Sequence, residues 1–146
     1  MKTMFLLLLA SLTVATPIWL TNFDDAQKIA VAKHRLILLN FSGSDWCGPC
    51  MRLKKEIFNS PEFCAFADTS LVLVNADFPR SSKNQLPADQ VARNEALAAK
   101  YNAEGDFPLT VLLTADGKVL YTWEGLPSDG TTHFIQQIKQ QVDAYK

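Results

Sequence analysis

Cys47 and Cys50 stand three positions apart in the run Trp46-Cys47-Gly48-Pro49-Cys50. Two thiols at that spacing can close on each other as a disulfide and open again, which makes the pair a two-electron switch. The chemistry needs one sulfur as a thiolate, because the thiolate is the form that attacks. The flanks supply the means. Residues 35–41 read as a buried strand and residues 51–58 as a helix. A helix N-terminus places unpaired N–H groups and partial positive charge beside the first sulfur. Pro49 falls in the first turn, where a missing N–H costs little. Cys47, expected to be partly exposed, is therefore the expected nucleophile. Cys50, one turn inward, is the expected resolving thiol.

The chain holds 3 cysteines, so one is left over. Cys64 sits in Phe63-Cys64-Ala65-Phe66 and reads as a small buried hydrophobe. Together with His34 and His133 the cysteines nominally offer metal ligands. Pro49 stiffens the first pair, however, and no second pair has metal spacing, so no metal is expected.

Several elements must position the pair. A helix over 21–33, with Thr21 as its expected N-cap, precedes the first long strand at 36–41. The helix after the cysteines is expected to run to about residue 59. Ser60-Pro61 restarts a short one, with Ser60 as cap and Pro61 in the first turn. A second apolar strand spans 71–76, and 78–87 is a polar surface loop. An Ala-rich helix covers 89–101, with Val91, Asn94, Ala98 and Tyr101 on one face. A third strand at 109–113, a turn at Ala115-Asp116-Gly117-Lys118 and a returning strand at 119–123 form a hairpin. Ser128 is the expected cap of a last amphipathic helix bearing Phe134, Ile135, Ile138, Val142 and Tyr145. A short strand around Ile18 completes the set.

This order, with Cys-x-x-Cys after the first long strand, resembles the thioredoxin-like superfamily over residues 19–146. Trp46-Cys47-Gly48-Pro49-Cys50 is identical to the thioredoxin motif. Phe107-Pro108 matches the cis-proline site of that fold, and Asp116-Gly117-Lys118-Val119 its hairpin. The resemblance implies an α/β thioredoxin fold, a central mixed sheet with helices on both faces. It makes Cys47 and Cys50 catalytic and implies supporting roles for Trp46, Gly48, Pro49, Phe107 and Pro108. Trp46 would flank the site as an apolar platform, core packing being the other reading. Pro108, if cis, would present a backbone edge to an extended substrate. No cofactor is implied.

Ser42-Gly43-Ser44-Asp45 is one residue longer than the matching stretch of cytosolic thioredoxins. Residues 58–63 and 75–79, with the polar loop that follows, resemble the exported branch that includes the C-terminal domain of the membrane electron carrier DsbD and small periplasmic reductases. Two departures stand out. Asn40 occupies the place of a buried aspartate that helps deprotonate the second cysteine in thioredoxins, and an amide cannot take that proton. The lysine that often partners the aspartate is absent from residues 71–74. Asp45 is nearer the motif but reads as a solvated loop carboxylate.

The 146 residues suggest one domain, with enough apolar content for a full core. Net charge is −1 with Lys and Arg dispersed, so nothing points to nucleic acid. Lys2, the apolar run 4–12 and the small residues of Thr13-Val14-Ala15 read as a signal peptide over 1–15, leaving 16–146 as the thioredoxin-like domain. An uncleaved anchor and a core strand are the alternatives. An exported, periplasmic chain cannot draw on cytosolic reductants, so a membrane electron donor of the DsbD type is implied, with disulfide-bonded proteins as substrates.

The Gly-Pro dipeptide favours the reducing end of a scale on which thioredoxin lies near about −270 mV, an isomerase near about −180 and a strong oxidase near about −120. A disulfide reductase is the expected function. A small single-domain chain also lacks the dimerisation region typical of isomerases, and a monomer is expected. An oxidase or isomerase is the enzymatic alternative, and a metal-binding or interaction module the non-enzymatic one.

Overall fold

Period-two alternation in the central strands decides the architecture of this chain. In the computed structural model, which describes residues 16–145, strand β2 (Leu36–Ser42) is buried along its whole length. Successive side chains of a strand point to opposite faces, so such a strand must be covered on both. Leu36 and Leu38 go to one face, while Ile37, Leu39 and Phe41 go to the other.

The remaining strands are β1 (Trp19–Leu20), β3 (Leu71–Asp77), β4 (Leu109–Leu113) and β5 (Val119–Glu124). They form one mixed sheet in the order β1-β3-β2-β4-β5. β2 runs parallel to β3 and antiparallel to β4. The helices are α1 (Phe23–Lys33), α2 (Gly48–Leu53), α3 (Pro61–Ser70), α4 (Ala88–Tyr101) and α5 (Gly130–Tyr145). One apolar cluster joins Leu53 of α2 and residues of α3 and α5 to the first face of β2. The other joins residues of α1 and α4 to the second. This is the thioredoxin fold expected from the sequence.

The aromatic residues concentrate on the α2 face. The Phe58 ring lies 4.7 Å from that of Trp19, 5.1 Å from Phe63 and 6.3 Å from Phe134. Such pairs contribute about 0.5–1.5 kcal/mol each beyond their burial.

Several local expectations are corrected. Asn22, not Thr21, caps α1, and its side chain accepts from the N–H groups of Asp24 and Asp25. Ser128 does not begin α5, which starts at Gly130. Its hydroxyl meets the Asp129 carboxylate instead, and Tyr145 is exposed. Helix α4 buries Gln90, Asn94 and Leu97, with Val91 and Ala98 only half-buried. The helix after the cysteines widens into a π-turn over Lys54–Phe58, where the Asn59 N–H reaches back to the Lys54 carbonyl at 2.9 Å. Ser60 and Pro61 begin α3 as expected. The signal peptide assigned to 1–15 lies outside the described residues.

Candidate active site

A disulfide joins Cys47 to Cys50 across a Cα separation of 5.2 Å, at the N-terminus of α2. Cys47 is the N-cap residue, with an extended backbone. The N–H of Cys50 donates to Cys47 Sγ at 3.2 Å. Capping makes this geometry natural, because first-turn N–H groups lack partners within the helix. Both cysteines are 5% exposed, whereas Gly48 and Pro49 are open to solvent. The expected partial exposure of Cys47 is therefore corrected: its sulfur is turned inward onto Cys50 and the helix terminus.

Trp46 is half-buried and held by its neighbours. Its Nε1–H donates to the Phe78 carbonyl at 2.7 Å, its ring meets Phe107 edge-on at 5.3 Å, and the Arg80 guanidinium lies 3.7 Å from its centroid. Against Gly43 there is no room for a side chain, since an added Cβ would fall 2.2 Å from the indole. Gly43→Ala is accordingly expected to cost about 1–3 kcal/mol through overpacking. Denaturant unfolding measures this, and an unshifted midpoint would show that the indole yields freely.

Asp45 is not an idle loop carboxylate. It accepts the backbone N–H groups of Arg80 and Ser81, each at 2.9 Å, and the Asn84 side-chain amide at 3.0 Å. These bonds tie the residue before Trp46 to the loop that carries Arg80. The Arg80 N–H, followed by the Asn84 amide, holds the Asp45 carboxyl below its ordinary value.

Beneath the disulfide lies a polar row that the sequence showed only at one end. Alternation places Asn40 on the leucine face of β2. Sheet register sets it beside Asn75 of β3 on one side and Thr110 of β4 on the other. The Asn40 amide donates to Asn75 Oδ1 at 2.9 Å, and the Thr110 hydroxyl donates to Asn40 Oδ1 at 3.2 Å. A neutral amide thus also sits across from Asn40, on the strand where a partner lysine was sought. Asn40 is 5% exposed yet satisfied at both ends, as a buried amide must be. Asn40 and Asn75 line a cavity of about 180 Å³ that reaches Cys50, with Ser42, Ser44 and Lys54 also on its wall. Sequence reading singled out neither Asn75 nor Lys54.

Phe107–Pro108 is a cis peptide at the entry to β4, as the resemblance implied. Its carbonyl end is held by the Gly125 N–H, 2.8 Å from the Pro108 oxygen. Cys64 is free and buried, 3.5 Å from the Phe58 carbonyl, and burial pushes its thiol up.

The chain belongs to the thioredoxin-like domain family, whose model matches residues 23–141. With its Cys47–Cys50 disulfide, it is a thiol-disulfide oxidoreductase of the Dsb type. It is 35% identical over 121 residues to the disulfide bond reductase DsbH of Chlamydia pneumoniae, covering 83% of this chain and 70% of that protein. A solved structure of a DsbH oxidoreductase superposes with a TM-score of 0.83 at 30% identity, covering 97% of this chain and 95% of that one. The oxidised C-terminal domain of Neisseria meningitidis DsbD shares the fold, with a TM-score of 0.55 at 20% identity over 82% of this chain and 89% of that one.

Proposed function

We propose that this chain is an exported, periplasmic reductase of protein disulfides. Cys47 attacks a substrate disulfide as the thiolate, and one substrate sulfur leaves as a thiol. Cys50 then attacks Cys47 in the mixed disulfide, releasing the second substrate sulfur and closing the Cys47–Cys50 bond. Reduced substrate leaves, and a membrane donor of the DsbD type restores the dithiol. The chain works as a monomer on disulfide-bonded proteins. Gly48 and Pro49 hold the two sulfurs in register. Trp46 steadies the approach, and Phe107 with Pro108 offers backbone to an extended substrate segment.

The observation that carries this reading is the Cys47–Cys50 disulfide at the N-terminus of α2, closed across a Gly-Pro dipeptide. That dipeptide favours the reducing end of the thiol–disulfide scale. The DsbH relative, described as a disulfide bond reductase, supports the same direction.

The test is a redox titration of the Cys47–Cys50 pair against thiol buffers in the Cys64→Ala background, which removes the spare thiol. A reductase gives a potential near about −270 mV. A value near about −120 mV would make the protein an oxidase, and one near about −180 mV an isomerase.

A further inference from the structure

We infer that Lys54 is an electrostatic positioning residue for the resolving step, stabilising the Cys50 thiolate through the cavity the two share. This inference rests on the assignment of Cys50 as resolving thiol.

Cys50 must lose its proton to attack, and the other residues that line its cavity include no carboxylate or imidazole to serve as base. Asn40 and Asn75 are amides occupied with each other, and Ser42 and Ser44 are hydroxyl groups. Trp19, Met51 and Phe58 complete the wall without charge. Lys54 is the one ionisable side chain, besides Cys50 itself, that lines this cavity. The Asp77 carboxylate bonds to two residues of the wall without lining the cavity itself. It accepts from Ser42 Oγ at 3.1 Å, from Ser44 N–H at 2.9 Å and from Ser44 Oγ at 2.5 Å. Its charge is engaged there. Along the same helix, Arg52 and Glu56 pair with each other in solvent at 2.9 Å, and the exposed Lys55 acts on Glu56.

The placement of Lys54 follows from spacing. Positions i and i+4 of a helix share a face, which sets Lys54 over Cys50. The π-turn begins at Lys54, and such turns recur at functional sites. Among the described residues no salt bridge to Lys54 is formed, so no carboxylate neutralises its charge at the cavity rim. The cavity wall is mostly apolar, but Asn40, Asn75, Ser42 and Ser44 give it polar groups, and it is roomy enough for water, whose share of liquid volume is about 30 Å³.

The step balances without a buried base. The Cys50 proton leaves to water in the cavity, the ammonium of Lys54 stays protonated, and the Cys50 thiolate attacks Cys47 Sγ. The bond from Cys47 to the substrate breaks, the Cys47–Cys50 bond forms, and the departing substrate thiolate takes a proton from solvent.

A cation at the rim of a solvated cavity acts more weakly than a buried contact pair. The expected effect is a shift of about half a unit in the Cys50 pKa. The experiment measures that pKa by ultraviolet thiolate absorbance in protein carrying Cys47→Ser and Cys64→Ala, so that Cys50 is the one thiol, with Lys54 intact or changed to Met, Arg or Glu. The expected order is Arg equal to Lys, Met about half a unit higher and Glu about one unit higher, with the spread shrinking as salt is added. In protein with both cysteines, Lys54→Met is expected to slow resolution about twofold at neutral pH. The loss is that small because a thiolate of higher pKa is scarcer but more nucleophilic.

Equal Cys50 pKa values in the Lys, Met and Glu proteins would overturn the inference. So would a spread that ignores salt, which would mark a packing effect. Failure of Cys50→Ser to accumulate mixed disulfides would instead overturn the assignment of the resolving thiol, a separate measurement.

Discussion

Cys47→Ser protein is expected to lose disulfide reduction altogether, while Cys50→Ser protein becomes covalently attached to its substrates. The two sulfurs are inequivalent in the fold. Cys47 caps the helix, and its sulfur accepts the N–H of Cys50 at 3.2 Å. Cys50 lies inside the first turn, with the cavity behind it. Without Cys47 no attacking thiolate exists, since a serine hydroxyl does not exchange with disulfides. Without Cys50 the first attack still proceeds, but the intramolecular attack that completes turnover is gone. Insulin reduction and mass spectrometry of trapped adducts read the two outcomes. Wild-type turnover in Cys47→Ser protein, or adducts on that variant in place of Cys50→Ser, would reverse the assignment.

Asn40→Asp is expected to speed resolution of the mixed disulfide near and above neutral pH, at the expense of stability. The new carboxylate would line the cavity that reaches Cys50 and could accept its proton directly. It keeps the donor it has in Thr110. It loses complementarity with Asn75, whose oxygen now accepts the Asn40 amide and would have to turn away. Burying an imperfectly paired polar group costs on the order of 1–3 kcal/mol.

Burial raises the folded pKa of such a carboxyl above its unfolded value of about 3.9. The folded state then binds more protons between the two values, so stability falls as pH rises through that window and levels off above it. The rate gain has the opposite trend, growing as the group ionises. Stopped-flow reduction across pH, paired with denaturant unfolding, separates the two. Unchanged rates and unchanged stability would remove Asn40 from any role in proton transfer.

What the sequence made legible was local. The strand–motif–helix order around Cys47 and Cys50, the buried strand 36–41, the Phe107–Pro108 site and the hairpin at 115–118 all show within short windows. They depend on side-chain period and turn chemistry. Asn40 was legible as an amide where a carboxylate is usual, because its place relative to the motif could be counted along one strand. Asn75 was not singled out. Its pairing with Asn40 spans 35 residues and is set by strand register, which shifts every side chain to the other face if it slips by one. Lys54 looks like any exposed helix lysine until the cavity is seen. Asp45 was read as idle because its donors come from residues 80, 81 and 84, which only the folded loop brings to it.

The bonds on Asp45 give this site tolerance to acid. A carboxylate held by three N–H donors resists protonation, so its folded pKa lies below the ordinary one. Its contribution is complete above the unfolded value of about 3.9, and it fades only as pH falls through the lower folded one. Mildly acidic surroundings therefore leave the loop in place, with Arg80 still laid over Trp46. A redox site ordered by a hard-to-protonate carboxylate keeps its shape at a pH where one ordered by histidines would not.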